Sequence, residues 1–514
     1  MSGNRRLDPL FITGMPVAFL SSYFVGTSTC LAANPSGLET KHQRPNFLFI
    51  LADDLGWTDL GSYGSQFYET PNIDGIAATG MKFTAGYAAS PVSSPTRASI
   101  LTGKYPARMD LTNWLHGTIK KKLVGAPYVD GLALEEITLA EYLDEFGYQT
   151  FFAGKWHLGS EKYWPEHQGF SVNKGGCDWG YPLGGKNYFS PYGNPRLKDG
   201  PDGEHLPDRL ATETIRFLQA NSDKQFFAYL SFYSVHTPLM TRTDLEEKYN
   251  KKQQLNAPVT TWGKEGDYKV RLTQNHAVYA GMIEAMDQAV GRVLNALDDL
   301  HLTDKTVVIF LSDNGGMNTA AGYPTSNAPL RAGKGWLYEG GIREPFMIKW
   351  PGVIQQGSRC DVPVISTDVY PTVLELAGLP LNFSQHEDGV SLVPLLQGKH
   401  KLLRNAIYWH YPHYSPQGGV PSAAIQVDNY KLIEFFEDNH VELYNLKMDI
   451  GETMDLAKQQ PEKAAELREM LHLWYKQVDA KMPSRNPEYV EECLTSRIKR
   501  VIKKIKFELR RMVQ

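Results

Sequence analysis

Short apolar runs that end in polar residues constrain the fold of this chain more than any other feature. The first run, residues 46–52, is apolar after its initial Asn46, as expected for a strand buried on both faces of a sheet. Similar runs follow at 150–153, 226–232 and 306–311. Helical patterns separate them, at 135–146, 207–220 and 276–300. This alternation predicts an α/β fold with a large, mostly parallel sheet sandwiched by helices.

The C-terminal part of the chain shows a different pattern. Strand-like stretches at 406–410, 430–436 and 441–444 predict a smaller antiparallel sheet, with a turn at Asp438 and Asn439. A helix at 461–478 is expected to pack on this sheet. We therefore predict a catalytic domain at residues 44–390 and a C-terminal α+β subdomain at residues 391–490.

The two ends of the sequence predict segments outside these domains. Basic Arg5 and Arg6, then an apolar stretch and small residues, predict a signal peptide at 1–33 and hence export, with a disordered leader as the alternative. Pro16 makes the stretch a poor membrane span. Residues 491–514 form a basic amphipathic tail, which would either pack on the protein or lie on an anionic membrane surface; we favour the first.

Charge and cysteine content exclude several classes of protein. The 53 basic and 57 acidic residues give a formal net charge of −4, so no global field favours nucleic acid. The four cysteines are too few and too scattered for a disulfide framework or a zinc site. We expect no disulfide, with one long-range disulfide as the alternative. Their positions are Cys30, Cys177, Cys360 and Cys493. Any anion-binding site must therefore be local.

Acidic and amide side chains follow two of the predicted strands. Asp53 and Asp54 come directly after the first run, and Asp313 and Asn314 follow the fourth. In a parallel sheet the carboxyl ends of the strands meet at one edge, where ligands bind. Buried carboxylates need neutralising, and a hard divalent cation does this through oxygen ligands. These residues predict one Ca²⁺ site, with Mg²⁺ as the second choice and simple capping aspartates as the structural alternative.

Basic side chains follow the same strands. Lys155 and His157 come after the second run, and His236 comes after the third. Arg331 and Lys334 lie in a glycine-rich loop after the fourth. Their combined positive charge would suit an oxyanion that carries a good leaving group. For each of them alone, a solvated loop position is the alternative.

The segment Ser93-Ser94-Pro95-Thr96-Arg97, followed by Leu101-Thr102-Gly103, resembles the signature of type I sulfatases in the alkaline phosphatase superfamily. The similarity extends from about Pro45 to Lys476 and includes bacterial glycan sulfatases and arylsulfatase A-like enzymes. In that family the first residue of the signature is oxidised to formylglycine, and the hydrated aldehyde attacks sulfur.

The resemblance implies a role for each candidate residue. Calcium would be held by Asp53, Asp54, Ser93, Asp313 and Asn314. Arg97 would stabilise the hydrated aldehyde, and Lys155 and Lys334 would bind the sulfate oxygens. His157 would act as a base, and His236 would act as an acid toward the leaving alcohol.

Serine at position 93 departs from the commoner pattern, since most of these enzymes encode cysteine there. A serine resembles the versions matured by a radical enzyme in anaerobic bacteria. We therefore predict a transient sulfatase-maturating partner and a periplasmic or cell-surface location in a bacterium. An unmodified serine, which would leave the chain inactive, and a laboratory substitution of cysteine are the alternatives.

The resemblance indicates the substrate only in outline. The pattern is similar to sulfatases that act on galactose or N-acetylgalactosamine sulfates, so we expect a sulfated carbohydrate. The predicted contacts are Lys155, His236, Lys334, Arg331, Asp178 and His116, with Trp179 and Tyr323 as further loop candidates. A phosphate mono- or diester hydrolase is the first rival function, although a two-metal site would need more Asp and His ligands. An inactive glycan-binding homologue is the second.

Overall fold

The computed structural model describes residues 44–256 and 258–489. The predicted signal peptide at 1–33, the tail at 491–514, Cys30 and Cys493 lie outside the described residues. The two described cysteines, Cys177 and Cys360, are buried and free. Among the described residues, no helix combines the length and apolarity needed to cross a membrane.

The described residues contain seventeen strands. In chain order they are β1 (Asn46–Ala52), β2 (Met81–Tyr87), β3 (Leu123–Val124), β4 (Gln149–Gly154), β5 (Val172–Lys174), β6 (Phe226–Ser231), β7 (Trp262–Glu265), β8 (Tyr268–Arg271), β9 (Thr306–Ser312), β10 (Arg343–Lys349), β11 (Ser358–Cys360), β12 (Val364–Ile365), β13 (Ile407–Tyr411), β14 (Ser422–Val427), β15 (Tyr430–Phe435), β16 (Val441–Asn445) and β17 (Ser484–Arg485).

The same part of the chain contains ten α-helices and five short 3₁₀ helices. The α-helices are α1 (Pro71–Thr79), α2 (Ser93–Thr102), α3 (Leu139–Glu145), α4 (Leu206–Ala220), α5 (Thr243–Asn256), α6 (Ala277–Asp299), α7 (Glu339–Ile342), α8 (Val369–Leu376), α9 (Val393–Leu396) and α10 (Pro461–Gln477). The 3₁₀ helices are Gly61–Tyr63, Glu161–Tyr163, Pro165–His167, Thr303–Lys305 and Ser366–Asp368.

Nine strands form the main sheet, in the order β11-β2-β10-β9-β1-β6-β4-β5, with β12 also paired to β2. Only β10 is antiparallel to its neighbours in this sheet, and the other pairings are parallel. The four predicted strands are β1, β4, β6 and β9, which are neighbours at the centre. The predicted large, mostly parallel sheet is therefore confirmed, and the antiparallel β10 is an addition to it.

Helices cover both faces of this sheet, as the alternating burial of β1 illustrates. Phe47, Phe49 and Leu51 belong to one buried cluster, which includes residues of α2, α3 and α8. Leu48 and Ile50 belong to a second buried cluster, with residues of α1, α4 and α6. A strand that buries both faces in this way needs the continuous apolar run found in the sequence. The predicted α/β architecture is confirmed.

The smaller sheet is antiparallel, in the order β13-β14-β15-β16. α10 packs against it, and the Trp474 ring stacks on Tyr408 with 4.8 Å between ring centroids. β14 was not predicted, because its Ala423 and Ala424 give no strong apolar run. The domain boundary at residues 390 and 391 stays a prediction. The helix predicted from residue 135 begins only at Leu139, where Thr138 caps it in a capping box.

Candidate active site

Three buried carboxylates meet at the carboxyl edge of the main sheet. β1 and β9 pair in parallel with Ala52 opposite Ser312, so Asp53 and Asp54 leave the sheet beside Asp313. One oxygen from each carboxylate lies within 4.8 Å of the others. The backbone N–H of Asp54 also donates to Asp313 Oδ1 at 3.1 Å. Two segments that are distant in the sequence thus form one acidic cluster.

Two lysines contact this cluster directly. Lys155 follows β4, and its Nζ lies 2.7 Å from both carboxylate oxygens of Asp53. Lys334 Nζ lies 2.7 Å from the carboxylate of Asp54. All four side chains are buried. Because each charge is removed from water, each lysine is needed to compensate its carboxylate.

Arg97 on α2 connects three strand ends. Its Nε donates to Asp313 Oδ2 at 2.9 Å, and its Nη1 donates to Ser231 Oγ and to the Lys155 carbonyl oxygen, both at 2.8 Å. Ser231, the last residue of β6, donates to the same carbonyl at 2.7 Å. Sequence reasoning missed Ser231, although a polar residue at the end of an apolar run is the signal that identified Asp53.

Ser93 is the first residue of α2, and its hydroxyl lies close to Lys155, Asp53 and Asn314. Its Oγ is 3.1 Å from Lys155 Nζ and 3.4 Å from both Asp53 Oδ1 and Asn314 Oδ1. The residue before it, Val92, supplies no side-chain cap to the helix. The free N–H groups and the helix dipole at this end favour a negatively charged group nearby.

Two histidines flank the site. The Nδ1 atom of His236 lies 2.8 Å from the carbonyl oxygen of Thr237. Because a carbonyl only accepts, Nδ1 carries the proton and Nε2 faces Asp54, 3.7 Å from its Oδ2. His157 donates its backbone N–H to the carbonyl oxygen of Cys177 at 3.1 Å. Its buried Nδ1 has no hydrogen-bond partner among the described residues.

Burial and the concentration of positive charge set the protonation of these groups. Burial raises the pKa of Asp53 to about 8, although Lys155 acts in the opposite direction. Burial, with Lys334 as the next cause, lowers the pKa of His236 to about 3. Burial and Lys155 hold the pKa of His157 well below its usual value. Both histidines are therefore uncharged at neutral pH in this arrangement.

The acidic cluster suits a hard divalent cation. The carboxylates of Asp53, Asp54 and Asp313 and the amide oxygen of Asn314 are ligands that Ca²⁺ and Mg²⁺ prefer. The raised pKa of Asp53 indicates that protein groups alone do not fully stabilise its negative charge. Within residues 44–256 and 258–489, this is the one place where three His, Cys, Asp or Glu side chains converge in this way. The residues present therefore fit one such ion.

The segment 177–181 lies against both histidines. A Cβ atom on Gly180 would lie 2.9 Å from His157 Nε2, so the backbone passes directly against that ring. The ring of Tyr181 is parallel to that of His236 to within 4°, with 6.0 Å between centroids. Tyr181 is nevertheless 43% exposed. It was missed by sequence reasoning, since one aromatic residue in a loop has no distinguishing pattern.

The other predicted substrate contacts lie in different surroundings. Asp178 is exposed, and Trp179 is half-buried, in the segment just described. The side chain of His116 is 78% exposed, with Asp130 as its nearest acidic partner at 3.9 Å. Tyr323 packs edge-on against Trp262 in β7. Their part in substrate binding stays a prediction.

Arg331 is engaged in contacts that do not involve the acidic cluster. Its Nη2 lies 2.7 Å from Glu265 of β7, and its Nη1 donates to the Tyr444 hydroxyl on β16 at 2.9 Å. The guanidinium also lies 3.7 Å from the ring centroid of Tyr338. These bonds join the β7–β8 hairpin to the C-terminal sheet. Substrate binding by Arg331, which the sequence predicts, stays a prediction.

Comparison with known families gives two matches. The sulfatase family model matches residues 45–379, which is more than half of the chain. A model described as N-sulphoglucosamine sulphohydrolase, C-terminal, matches residues 332–481.

Individual proteins agree with these matches. A protein of Formosa agariphila named Sulfatase is 34% identical over 505 residues, covering 84% of this chain and 88% of that protein. N-acetylgalactosamine-6-sulfatase of Homo sapiens is 32% identical over 395 residues, covering 72% and 68%. The crystal structure of Ps i-CgsB in complex with k-i-k-neocarrahexaose is 28% identical with a TM-score of 0.69, covering 91% of this chain and 99% of that chain.

Proposed function

Because the chain belongs to the sulfatase family and is thus a sulfuric ester hydrolase, we propose that it releases sulfate from a sulfated carbohydrate through residue 93. The observation that carries this proposal is the position of Ser93. Its Oγ lies at a helix N-terminus, 3.1 Å from Lys155 Nζ and beside the carboxylates that fit a cation. A sulfate ester would therefore meet fixed positive charge where the reaction begins.

Residue 93 is proposed to act as formylglycine, formed by removal of two hydrogens from the serine by a sulfatase-maturating radical enzyme. When formed, the hydrated aldehyde supplies the oxygen that attacks sulfur. The contacts of Ser93 support this need for modification. A serine hydroxyl requires an activating base, and no histidine lies among the described partners of Ser93 Oγ.

Asp53, Asp54, Asp313 and Asn314, with residue 93, are proposed to hold Ca²⁺. When bound, calcium would stabilise negative charge on oxygens at the site. The protein itself orients the ligands: the strand ends of β1 and β9 fix the carboxylates, and Asn314 Nδ2 donates to Asp54 Oδ1 at 2.8 Å. This bond leaves the Asn314 Oδ1 atom turned toward residue 93.

The basic side chains are proposed to bind and neutralise the sulfuryl group. Lys155 and Lys334 would contact its oxygens, and Arg97, held by Asp313, would stabilise the hydrated form of residue 93. His157 would take a proton from that group, since it is uncharged and its Nδ1 has no described hydrogen-bond partner. His236, which is uncharged in the free protein, would take up a proton at Nε2 when the anionic ester binds and, with Lys334, deliver it to the leaving alcohol. Groups placed in advance in this way need little rearrangement during the reaction.

The names of the relatives support a carbohydrate substrate. The human relative is an N-acetylgalactosamine-6-sulfatase, and the solved structure holds a neocarrahexaose. We therefore propose a galactose or N-acetylgalactosamine sulfate, acted on outside the cytoplasm, in the periplasm or at the cell surface of a bacterium. The predicted signal peptide supports the location.

One mass measurement tests the central step. The protein is produced beside the maturating enzyme, and the peptide covering residues 81–104 is weighed. Loss of two hydrogens at Ser93 is the expected result, and a plain serine in catalytically active protein would overturn the proposal.

Relative rates on an aryl sulfate and an aryl phosphate, with the metal content per chain, test the rival phosphate ester hydrolase. One ion and faster sulfate turnover are expected. Two ions with faster phosphate turnover would favour the rival, and a plain serine with no turnover of either ester would favour an inactive glycan-binding homologue.

A further inference from the structure

A large groove lies away from the candidate active site. Its volume is about 1460 Å³, and it is lined by β2, β11, the loop before β13 and parts of the C-terminal sheet. It contains no residue of the acidic cluster and none of the lysines or histidines beside it. β10 and β9 separate β2 from β1 in the main sheet, which corresponds to about 14 Å at the usual strand spacing. The groove is therefore a separate site.

The size of the groove indicates the size of its ligand. Sites for a single small molecule have volumes of roughly 300–1,000 Å³. The groove exceeds that range. It has room for several linked units of a chain.

Three exposed lysines give the groove its charge. Lys399 and Lys401 lie in the loop between α9 and β13, and Lys447 follows β16. Within the described part of the chain, none of the three forms an ion pair. The convergence of three exposed positive charges on one groove favours an anionic ligand, although the chain as a whole has a formal net charge of −4.

The remaining charges of the groove do not cancel this excess. Each lining arginine is paired with a carboxylate: Arg343 with Glu339 at 3.0 Å, Arg359 with Asp361 at 2.8 Å, and Arg404 with Asp368 at 2.6 Å. Asp428 is the other acidic side chain that lines the groove. Among the described lining residues, one carboxylate and three lysines are thus left without an ion pair, and the groove stays positive.

The other side chains distinguish between kinds of anion. Single-stranded nucleic acid is bound by exposed aromatic side chains on which bases stack. Among the described residues that line the groove, Tyr87 is the one Phe, Tyr or Trp; it is buried and donates its hydroxyl to Glu339. His400 is the one exposed ring. A lipid surface is flat and does not enter a concave groove. Exposed amides at Asn405 and Asn429 can instead bond hydroxyl groups.

We propose that this groove binds a sulfated oligosaccharide chain, with Lys399, Lys401 and Lys447 contacting its sulfate groups. The choice of a carbohydrate as the ligand rests on the proposed function. The positive charge of the groove is observed independently of that function. A chain held here would stay close to the enzyme between successive hydrolyses, which raises its effective concentration at the active site.

Binding is tested in the Ser93→Ala background, so that the probe is not consumed. The groove variant is Lys399→Glu/Lys401→Glu/Lys447→Glu, and a Gln version of the same three positions is the milder form. The matched control reverses three exposed lysines outside the groove, Lys224→Glu/Lys251→Glu/Lys305→Glu. The probes are a fluorescent, size-fractionated sulfated galactan oligosaccharide, its desulfated form, and phosphatidylserine vesicles.

We expect the Glu variant to weaken sulfated-probe binding by about 10-fold or more and to reduce its salt dependence, because fewer bound ions are displaced. The affinity of the Gln variant for the sulfated probe should lie between those of the Glu variant and the control variant. When the Glu variant is made in protein that keeps Ser93, its KM for the sulfated galactan oligosaccharide should rise, while its turnover of a small aryl sulfate stays unchanged. Equal affinity of groove and control variants would overturn the proposal, as would loss of vesicle binding without loss of oligosaccharide binding. If no sulfate ester is turned over, the proposed function fails, and the binding experiment still decides on the groove.

Discussion

Lys155 Nζ contacts both carboxylate oxygens of Asp53 at 2.7 Å, and neither side chain is exposed. Lys155→Met would leave that carboxylate buried and uncompensated, a change that costs up to about 3–5 kcal/mol of unfolding free energy. It would also remove a fixed positive charge from the site of attack, and we expect kcat to fall about 10²–10³-fold. Steady-state kinetics and denaturant unfolding measure the two effects. Lys224→Met, at an exposed position, should change neither; wild-type kcat in Lys155→Met would refute the assignment.

Ser93→Ala should abolish turnover and keep the fold. The partners of the hydroxyl, at 3.1–3.4 Å, all lie outside α2, so alanine removes no bond within that helix. Turnover of an aryl sulfate and the thermal unfolding midpoint are the two measurements. Ser94→Ala is the matched control, because the Ser94 Oγ is buried without a described hydrogen-bond partner and is expected to carry no chemistry. Residual activity in Ser93→Ala at the level of the control would contradict the role of residue 93.

The acidic cluster could be predicted because Asp53 directly follows one apolar run and Asp313 follows another after Ser312, and parallel strands bring such ends together. β10 could not, since its Arg343 and Glu344 interrupt the apolar pattern at its start. The contacts of Arg331 could not be predicted either, because its partner Glu265, in the β7–β8 hairpin, is 66 positions away in the sequence. Long-range pairings of this kind have no local signal. Local periodicity therefore identifies strand ends better than it identifies which loops reach them.

The pH dependence of stability should carry a contribution from Asp287. This carboxylate accepts from the Ile73 backbone N–H at 2.8 Å and from Asn72 Nδ2 at 2.7 Å, at the start of α1. Burial raises its pKa to about 6, above its usual 3.8. The native state thus holds this proton more tightly than the unfolded chain, and its contribution to stability falls as pH rises from about 4 to 6.

Asp287→Asn removes that titration. We compare the unfolding free energy of this variant with that of the wild type at each pH. From pH 4 to pH 7 the difference should shift in favour of the variant by up to about 3 kcal/mol. Denaturant unfolding across that range measures the difference. Asp223→Asn makes the same charge change at an exposed position and is the matched control. A flat difference for Asp287→Asn would show that burial does not perturb this group.

Chelation should remove activity without unfolding the protein. The proposed calcium ligands are buried, and their negative charge is opposed by Lys155, Lys334 and Arg97 even without an ion. We therefore expect a chelator to abolish turnover of an aryl sulfate while the circular dichroism spectrum is retained. Added Ca²⁺ should restore the rate, and Mg²⁺ should do so less well, because the mixed carboxylate and amide set suits the larger, more adaptable ion. Full activity in metal-free protein would rule the ion out.

Tyr181 should contribute to binding of the carbohydrate through its ring. It stacks on His236, the residue proposed to protonate the leaving alcohol, and remains 43% exposed. A sugar attached to that alcohol would therefore lie beside the tyrosine ring, whose apolar face packs against C–H groups. We expect Tyr181→Ala to raise KM for a sulfated disaccharide about 5–10-fold, the equivalent of roughly 1–1.5 kcal/mol for one aromatic contact.

Two comparisons separate this contact from a general disturbance of the site. Tyr181→Phe keeps the ring and removes only a hydroxyl, so its KM should match that of the wild type. Inhibition by inorganic sulfate should depend on Lys155 and Lys334, the proposed sulfate contacts, and should be unchanged in Tyr181→Ala. If the alanine variant instead loses sulfate inhibition and kcat together, the ring serves to hold His236 in place, because a contact made only with the sugar cannot alter the binding of free sulfate.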